Sequence, residues 1–163
     1  MLIRKLNENP EPCTTTYLTY SFDMTLKSMR RDHPQAKLLG TTMLDGYRLM
    51  FRGSVDRSLA TIEKAEDYQI PVVLWQIPAS YEAAIERCCP ENYHKIELEG
   101  IFEGKATPCI AYAIDEGCPY GIPSAKYMKV LVKRYISWKF CVYPLVKALD
   151  ESMQALLATF EEG

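Results

Sequence analysis

Alternation of apolar and polar residues marks out short strands in the first third of the chain. Thr14–Tyr20 (TTTYLTY) is rich in β-branched and aromatic residues, which predicts a strand. The run AKLLGTTMLDGYRLMFRG, residues 36–53, predicts two strands around Asp45-Gly46. Asp-Gly between apolar runs favours a hairpin, because its turn needs positive φ.

Three more apolar runs predict strands further along the chain. LATIEK covers residues 59–64 and VVLWQI covers residues 72–77. HKIELEGIFEGKATPCIAYAI, residues 94–114, predicts a strand pair that turns near residues 103–105. Most successive strands are therefore joined by short turns, which is typical of antiparallel pairing.

Polar capping residues precede the segments that predict helices. Asp23 precedes MTLKSMRR, which Pro34 closes, and Ser80 precedes YEAAIERCC, which Pro90 closes. Ser124 precedes AKYMKVLVKRY.

The last predicted helix, roughly Tyr143 to Phe160, carries a periodic apolar stripe. Its members are Leu145, Leu149, Met153, Leu156 and Phe160. We interpret this stripe as core packing rather than as a site for a partner.

These elements predict an α+β fold with a mixed, largely antiparallel sheet or small barrel and marginal helices. The length of 163 residues is that of one domain, so we predict a single domain over residues 1–163. Residues 1–12 are polar and contain proline, and we predict that they form a loose arm.

Composition excludes several classes of protein. Hydrophobic residues make up 48% and charged residues 25%, which is typical of a globular chain. The net charge of -2 provides no excess of positive charge for binding nucleic acid. No run approaches the roughly 20 apolar residues of a membrane span, and no apolar signal core follows the start. We expect a cytoplasmic protein.

The six cysteines and two histidines show no metal-binding spacing. Their arrangement therefore predicts neither a metal site nor a cofactor. In a reducing compartment we expect free thiols, with Cys109 in the core. Basic residues such as Arg30-Arg31 and Lys129, Lys133 and Arg134 are interleaved with apolar ones, and we interpret them as solvated helix faces.

Several segments, in order, resemble the gamma-glutamylcyclotransferase-like family. Members begin with a strand ending in Tyr-Gly-Ser-Asn before a helix, later have a strand ending in Trp, and then have a helix of the Leu-Asp-x-x-Glu-Gly type. The matching segments here are Tyr17–Met24, residues 36–53, Val72–Trp75, Ala111-Tyr112 and Gly121–Tyr127. Coverage runs from about Tyr17 to Tyr135.

The resemblance implies an intramolecular acyl transfer, in which the α-amine of a gamma-glutamyl compound attacks its own side-chain carbonyl. The products are 5-oxoproline and a free amine. Backbone N–H groups of the Tyr-Gly-Ser-Asn loop suit the substrate carboxylate. The Glu of the helix motif takes the amine proton and returns it to the leaving amine, which is general acid–base catalysis.

The chain departs from the family at the position of that Glu. Counting ungapped from Trp75 places Cys89 there, and moving the gap upstream places Arg87 there. A thiol is mostly neutral at pH 7, so it does not replace a carboxylate. Glu86 or Glu91 could swing into the empty place instead.

The anion-binding loop is changed as well. Ser21 replaces Gly, Phe22 replaces Ser and Asp23 replaces Asn. Phe22 takes up space that the substrate would use, and Asp23 brings a negative charge close to a carboxylate. Tyr20, Tyr112 and Tyr127 are candidates for lining the same pocket.

Three hypotheses follow. The first is a divergent member, impaired in 5-oxoproline formation, that keeps a pocket for a small gamma-glutamyl or amino-acid-like molecule. The second is an active cyclotransferase with a substituted acid/base. The third is a protein-interaction module with a vestigial pocket. The oligomeric state stays open.

Overall fold

The computed structural model describes residues 13–161, so the predicted arm at residues 1–12 lies outside the described residues. It shows five strands and four helices, an α+β architecture as predicted. In chain order they are β1 Thr14–Thr19, α1 Leu26–Asp32, β2 Lys37–Arg52, β3 Leu59–Pro78, α2 Tyr81–Cys88, β4 Tyr93–Phe102, β5 Lys105–Ile114, α3 Ala125–Ser137 and α4 Tyr143–Glu161.

The strands form one mixed sheet in the order β2-β3-β1-β5-β4. β1 and β5 run parallel at the pair Tyr17–Ile110, and the other neighbours are antiparallel. The prediction that these segments share one sheet is confirmed. The sheet does not close into a barrel. The two edge strands, β2 and β4, come near each other without forming a ladder. There the Thr42 hydroxyl of β2 donates to the Ile101 carbonyl of β4 at 2.9 Å.

The hairpin predicted at Asp45-Gly46 is wrong. β2 runs straight through these residues, and the ladder with β3 shifts register between Asp45 and Tyr47. Gly46 has φ 80°, so the positive φ that the sequence signalled serves a bulge. The segments at 59–64 and 72–77 were predicted as separate strands. They belong to one strand, β3, which pairs with β2 on both sides of the bulge.

Helix positions agree with the prediction, but two caps differ. Ser80 precedes α2 as predicted, yet its side chain makes no capping hydrogen bond. The Ser124 hydroxyl accepts from the Tyr127 N–H at 3.1 Å and caps α3 as predicted. Asp23 does not cap α1. Thr25 takes that role by accepting from the Ser28 N–H at 3.2 Å, because α1 begins only at Leu26.

The stripe predicted for the last helix is partly wrong. The face of α4 that enters the core consists of Leu145, Ala148, Ser152 and Leu156. Met153 and Phe160, which the prediction placed in the core, are exposed. The true buried face is rotated by roughly 50° from the predicted one, which leaves apolar side chains in solvent.

Candidate functional site

The candidate site begins at the loop that follows β1, from Tyr20 to Asp23. α3 and the residue after it hold this loop through its backbone. Arg134 donates to the Ser21 carbonyl at 2.8 Å, and the Trp138 indole donates to the Met24 carbonyl at 2.5 Å. Asp23 adopts φ 57°, an uncommon conformation that Asp tolerates better than most residues.

The side chain of Asp23 points inward rather than towards solvent. The Tyr17 hydroxyl donates to Asp23 Oδ2 at 3.0 Å, and His33 Nε2 lies 3.6 Å from the same oxygen. Burial raises the pKa of the Asp23 carboxyl above its ordinary value, although His33, Tyr17 and Arg134 each act to lower it. Asp23 is therefore a buried, titratable carboxylate within the loop.

Cys89 lies at the C-terminal end of α2, where its N–H donates to the Ile85 carbonyl at 2.9 Å. The thiol is partly buried. Burial, and next the negative charge of Asp23, raise the pKa of Cys89 to about 12. The charge of Asp23 thus acts on the Cys89 thiol, while the meeting of loop and helix end in one pocket stays a prediction.

A group of tyrosines surrounds the other half of the loop. Tyr20 donates to the Tyr112 carbonyl at 2.6 Å, and Tyr93 donates to the Ala60 carbonyl at 2.5 Å. The Tyr127 hydroxyl accepts from the Ala60 N–H at 3.0 Å. Burial raises the pKa of all four phenols, so they stay protonated.

The hydroxyl of Ser21 is buried within this group. It is near enough to the Tyr93 and Tyr127 phenols to influence their pKa values. Yet Ser21 Oγ makes no hydrogen bond of good geometry with any described residue. A buried hydroxyl without a partner is uncommon in proteins and marks a polar position that a ligand could satisfy.

Phe22 packs over the tyrosine group. Its ring meets that of Tyr93 edge to face, with centroids 5.2 Å apart. Phe22 is partly buried and belongs to the margin of the core. It therefore covers one side of the Tyr93 ring.

The two glutamates proposed as substitute bases differ in position. Glu86 is exposed on α2, and its charge raises the pKa of both Cys89 and Tyr112. Glu91 is exposed in the turn before β4 and makes no hydrogen bond or ion pair with a described residue. Glu86 thus borders the site, while no contact links Glu91 to it.

Clear cavities lie elsewhere. A groove of about 850 Å³ runs along β3, β4 and β5, and one of about 280 Å³ lies beside the start of α4. Neither is lined by the loop residues or by Cys89. Convergence of the predicted residues on one cavity therefore stays a prediction.

Sequence reasoning missed three residues of the site. Tyr17 and His33 contact Asp23, and Arg134 holds the loop backbone. His33 follows α1, the helix after the loop, and tertiary packing brings its side chain back to Asp23. Arg134 had been interpreted as solvated, but half-buried arginines commonly bind carbonyls.

The described residues offer no group of three His, Cys, Asp or Glu side chains that could hold a metal ion. Their helices are all too short or too polar to cross a bilayer. All six cysteines fall within this part of the chain and are free thiols.

No protein-family model matches the sequence, and no curated protein matches it significantly. Solved structures do match. One is a gamma-glutamyl cyclotransferase, with a TM-score of 0.68, 19% identity, and coverage of 83% of this chain and 86% of that one. An uncharacterized protein from Homo sapiens gives a TM-score of 0.62 at 20% identity, over 76% of this chain and 79% of its own.

YkqA from Bacillus subtilis gives a TM-score of 0.62 at 17% identity, over 83% of this chain and 51% of its own length. Identities this low show a shared fold. The chain therefore has a gamma-glutamyl cyclotransferase-like fold, as the sequence resemblance predicted.

Proposed function

We propose that this protein is a divergent relative of the cyclotransferases that forms little or no 5-oxoproline and binds a small, amino-acid-like molecule. The proposed site lies between the loop at Tyr20–Asp23 and Cys89. The unpaired cysteines suit the cytoplasm, which we propose as its compartment.

The observation that carries the proposal is the thiol at the end of α2. Ring closure needs one group that accepts a proton from the amine and returns it to the leaving amine. With a pKa of about 12, Cys89 is protonated at neutral pH and does not accept that proton. In the ungapped register the resemblance puts the family's glutamate at this position, and a neutral thiol lacks its chemistry; the alternative register puts Arg87 there, which is no base either.

Two features of the loop also favour weak binding of a gamma-glutamyl carboxylate. Asp23 lies in the loop that would receive it, and like charges repel strongly where water is partly excluded. Phe22, larger than the family's Ser, packs edge to face on Tyr93. That hydroxyl, without a partner, favours retention of some polar ligand.

Asp23 also supports a second candidate, an active enzyme with a relocated acid/base. It is a carboxylate with a raised pKa, close to Cys89 and hydrogen-bonded by Tyr17. A carboxyl group tuned upwards by burial is a common general acid/base. Under this candidate, the proton carrier comes from the loop rather than from the helix.

Incubation of the purified protein with gamma-glutamyl amino acids and gamma-glutamylamines tests the proposal, with 5-oxoproline and released amine as readouts. We expect no turnover above background, together with binding of at least one amino-acid-like compound by calorimetry. Robust turnover would contradict the proposal. Asp23→Asn and Glu86→Gln would then identify the base, with Glu91→Gln as the matched control.

A restoration series tests the same reasoning from the opposite side. We expect Cys89→Glu alone to give no family-like rate, because the loop remains altered. Combining it with Ser21→Gly, Phe22→Ser and Asp23→Asn should do more than either change separately, since base and substrate act as a unit. Full activity from Cys89→Glu alone would show that the loop changes are neutral.

A further inference from the structure

The last helix carries a row of apolar side chains that the rest of the described chain does not cover. The row consists of Tyr143, Val146, Met153, Leu157 and Phe160, which we call the α4 seam. Their exposed fractions run from 39% at Met153 to 66% at Phe160. A contiguous patch of this kind marks an interaction surface more often than scattered exposed residues do.

The seam follows a heptad pattern. Its positions are 143, 146, 150, 153, 157 and 160, spaced alternately by three and four residues, and Asp150 fills the central gap. On a helix of 3.6 residues per turn these positions fall within a band about 100° wide. The face that enters the core is a different one, so the seam is free to pack against another helix.

We propose that the α4 seam pairs with the same seam of a second copy of this chain, in an antiparallel two-fold dimer. The spacing of the seam positions is symmetric about the point midway between Glu151 and Ser152. A two-fold axis there places Tyr143 against Phe160 and Val146 against Leu157 of the other copy. Such self-complementarity is what a two-fold interface requires.

Charge selects the antiparallel arrangement over the parallel one. In a parallel pair Asp150 would face its own counterpart across the seam, which is unfavourable. In the antiparallel pair Asp150 faces Met153 instead. The helix dipoles also run in opposite directions, which favours the antiparallel pair.

The size of the seam indicates a dimer of moderate affinity. Two such stripes would bury on the order of 1,000 Å² in total, near the lower limit for a specific interface. A membrane surface is a poorer occupant. Interfacial helices carry Lys and Arg on the polar face, whereas α4 carries Asp150, Glu151 and Glu161 with Lys147.

Sedimentation equilibrium of the full chain between about 1 and 200 μM tests the dimer. We expect a monomer–dimer equilibrium with a dissociation constant in the micromolar range, as for other small interfaces. Val146→Glu and Leu157→Glu should each weaken it roughly 30-fold or more, because each buries a charge at the seam. Ile101→Glu and Ile136→Glu, at positions 58% and 60% exposed outside the seam, are the matched controls.

Orientation is tested by Met153→Lys. In the antiparallel dimer the new ammonium faces Asp150 of the other copy, so we expect the dimer to persist. In a parallel dimer the two lysines would face each other and dissociate it. Circular dichroism confirms that each variant is folded.

Three results would overturn the proposal. They are a monomer throughout the concentration range, a dimer that survives both seam glutamates, or equal loss from the control substitutions. Dissociation by Met153→Lys would overturn the antiparallel arrangement.

Discussion

At the scale of single residues, Asp23 is where sequence and structure differ most informatively. The sequence suggested a helix cap, and also a charge placed against a substrate. The structure turns the carboxylate inward to Tyr17 and His33. Its environment therefore raises the energy of the ionised form, as burial does for any incompletely compensated charge.

Asp23→Asn should stabilise the protein at neutral pH. The raised pKa means that the folded protein holds the Asp23 proton more tightly than the unfolded chain does. Stability from this group is therefore present below its ordinary pKa of 3.8 and is lost as pH rises through the folded value. The amide keeps the hydrogen bond from Tyr17 without the charge.

Urea unfolding at pH 7, 5.5 and 4.5 measures the effect of Asp23→Asn. We expect a gain at pH 7 within the usual range of about 0.5–3 kcal/mol for one substitution, shrinking as the pH falls. His33, Tyr17, Asp32 and Arg134 also influence this carboxyl and are unchanged. Asp56→Asn, an exposed control that is not among these groups, should show no such gain. A loss at pH 7 would mean that His33 compensates the charge fully.

Cys89 should react slowly with alkylating reagents in the folded protein. At pH 8 a thiol whose pKa is about 12 has about three orders of magnitude less thiolate than one at 9.0. The higher nucleophilicity of the thiolate recovers part of this, leaving a rate roughly 30- to 60-fold lower. The comparison is between native protein and protein in urea, by peptide mass spectrometry.

The exposed neighbour Cys88 provides the internal control, because unfolding should change its rate much less. We still expect Cys89 to react faster than buried Cys109. A native Cys89 that reacts as fast as in urea would place the thiol in a polar, open environment. It would also remove the main support for a neutral group at this position.

At the scale of elements, the sequence predicted the types of nearly all helices and strands. It failed where two signals conflict. Asp45-Gly46 carries the local signature of a hairpin, but the same positive φ serves a bulge in a long strand. Only pairing with β3 decides between them, and that partner is distant in sequence.

The candidate site was predictable to a similar degree. The loop after β1 and the end of α2 were identified from the order of family-like segments, and the charge of Asp23 raises the pKa of Cys89. The contacts of Tyr17, His33 and Arg134 arise from tertiary packing, which no local pattern records. Likewise, only part of the predicted α4 stripe lies on the buried face, because α4 has apolar residues on two faces.

The segment between β5 and α3 depends on a close approach that only glycine allows. A Cβ on Gly121 would lie 2.3 Å from the Ser54 carbonyl oxygen and 2.9 Å from Val55 backbone atoms. The Gly121 N–H also donates to the Phe51 carbonyl at 3.1 Å. Backbone atoms cannot move aside by changing rotamer. A Cβ at position 121 would therefore force the segment away from Ser54 and Val55.

Gly121→Ala should therefore destabilise the protein by about 2–3 kcal/mol, as overpacking does. Gly117→Ala is the matched control in the same segment, since its Cβ would meet only the Asp115 side chain, at 3.4 Å. Chemical denaturation of the two variants measures the difference. Equal stabilities would show that the segment packs more loosely against Ser54 and Val55.

At the scale of the whole molecule, Glu63 connects parts of the chain that are distant in sequence. From β3, its Oε1 accepts from Arg48 at 2.8 Å and from Tyr120 at 2.8 Å, and its Oε2 accepts from Arg52 at 3.0 Å. Arg48 also donates to Glu151 of α4 at 2.8 Å. Strands, the segment before α3 and the last helix therefore share one ionic network.

Arg52 completes the connection to the segment before α3. It donates to the Glu116 and Cys118 carbonyls at 2.8 and 2.7 Å, and its guanidinium lies 3.7 Å from the centre of the Tyr120 ring. The side chain is almost wholly buried. Removing its partner charge therefore leaves a cation that water does not reach.

Glu63→Gln should cost about 3 kcal/mol at pH 7, the lower end for removing one partner of a buried ion pair. Burial alone would raise the pKa of Glu63, but hydrogen bonds from Tyr120, Arg48 and Arg52 outweigh it and hold the pKa below 4.5. The stability it contributes is therefore complete above that value and is lost as pH falls through the folded pKa.

Unfolding of Glu63→Gln in urea at several pH values, with exposed Glu66→Gln as control, should show a loss of stability that is full at pH 7 and disappears only in acid. Asp23→Asn should show a gain over the same range, because its carboxylate is buried without such a network. If both substitutions shifted stability in the same direction at pH 7, hydrogen bonds to the charged form would not be what separates these two carboxylates.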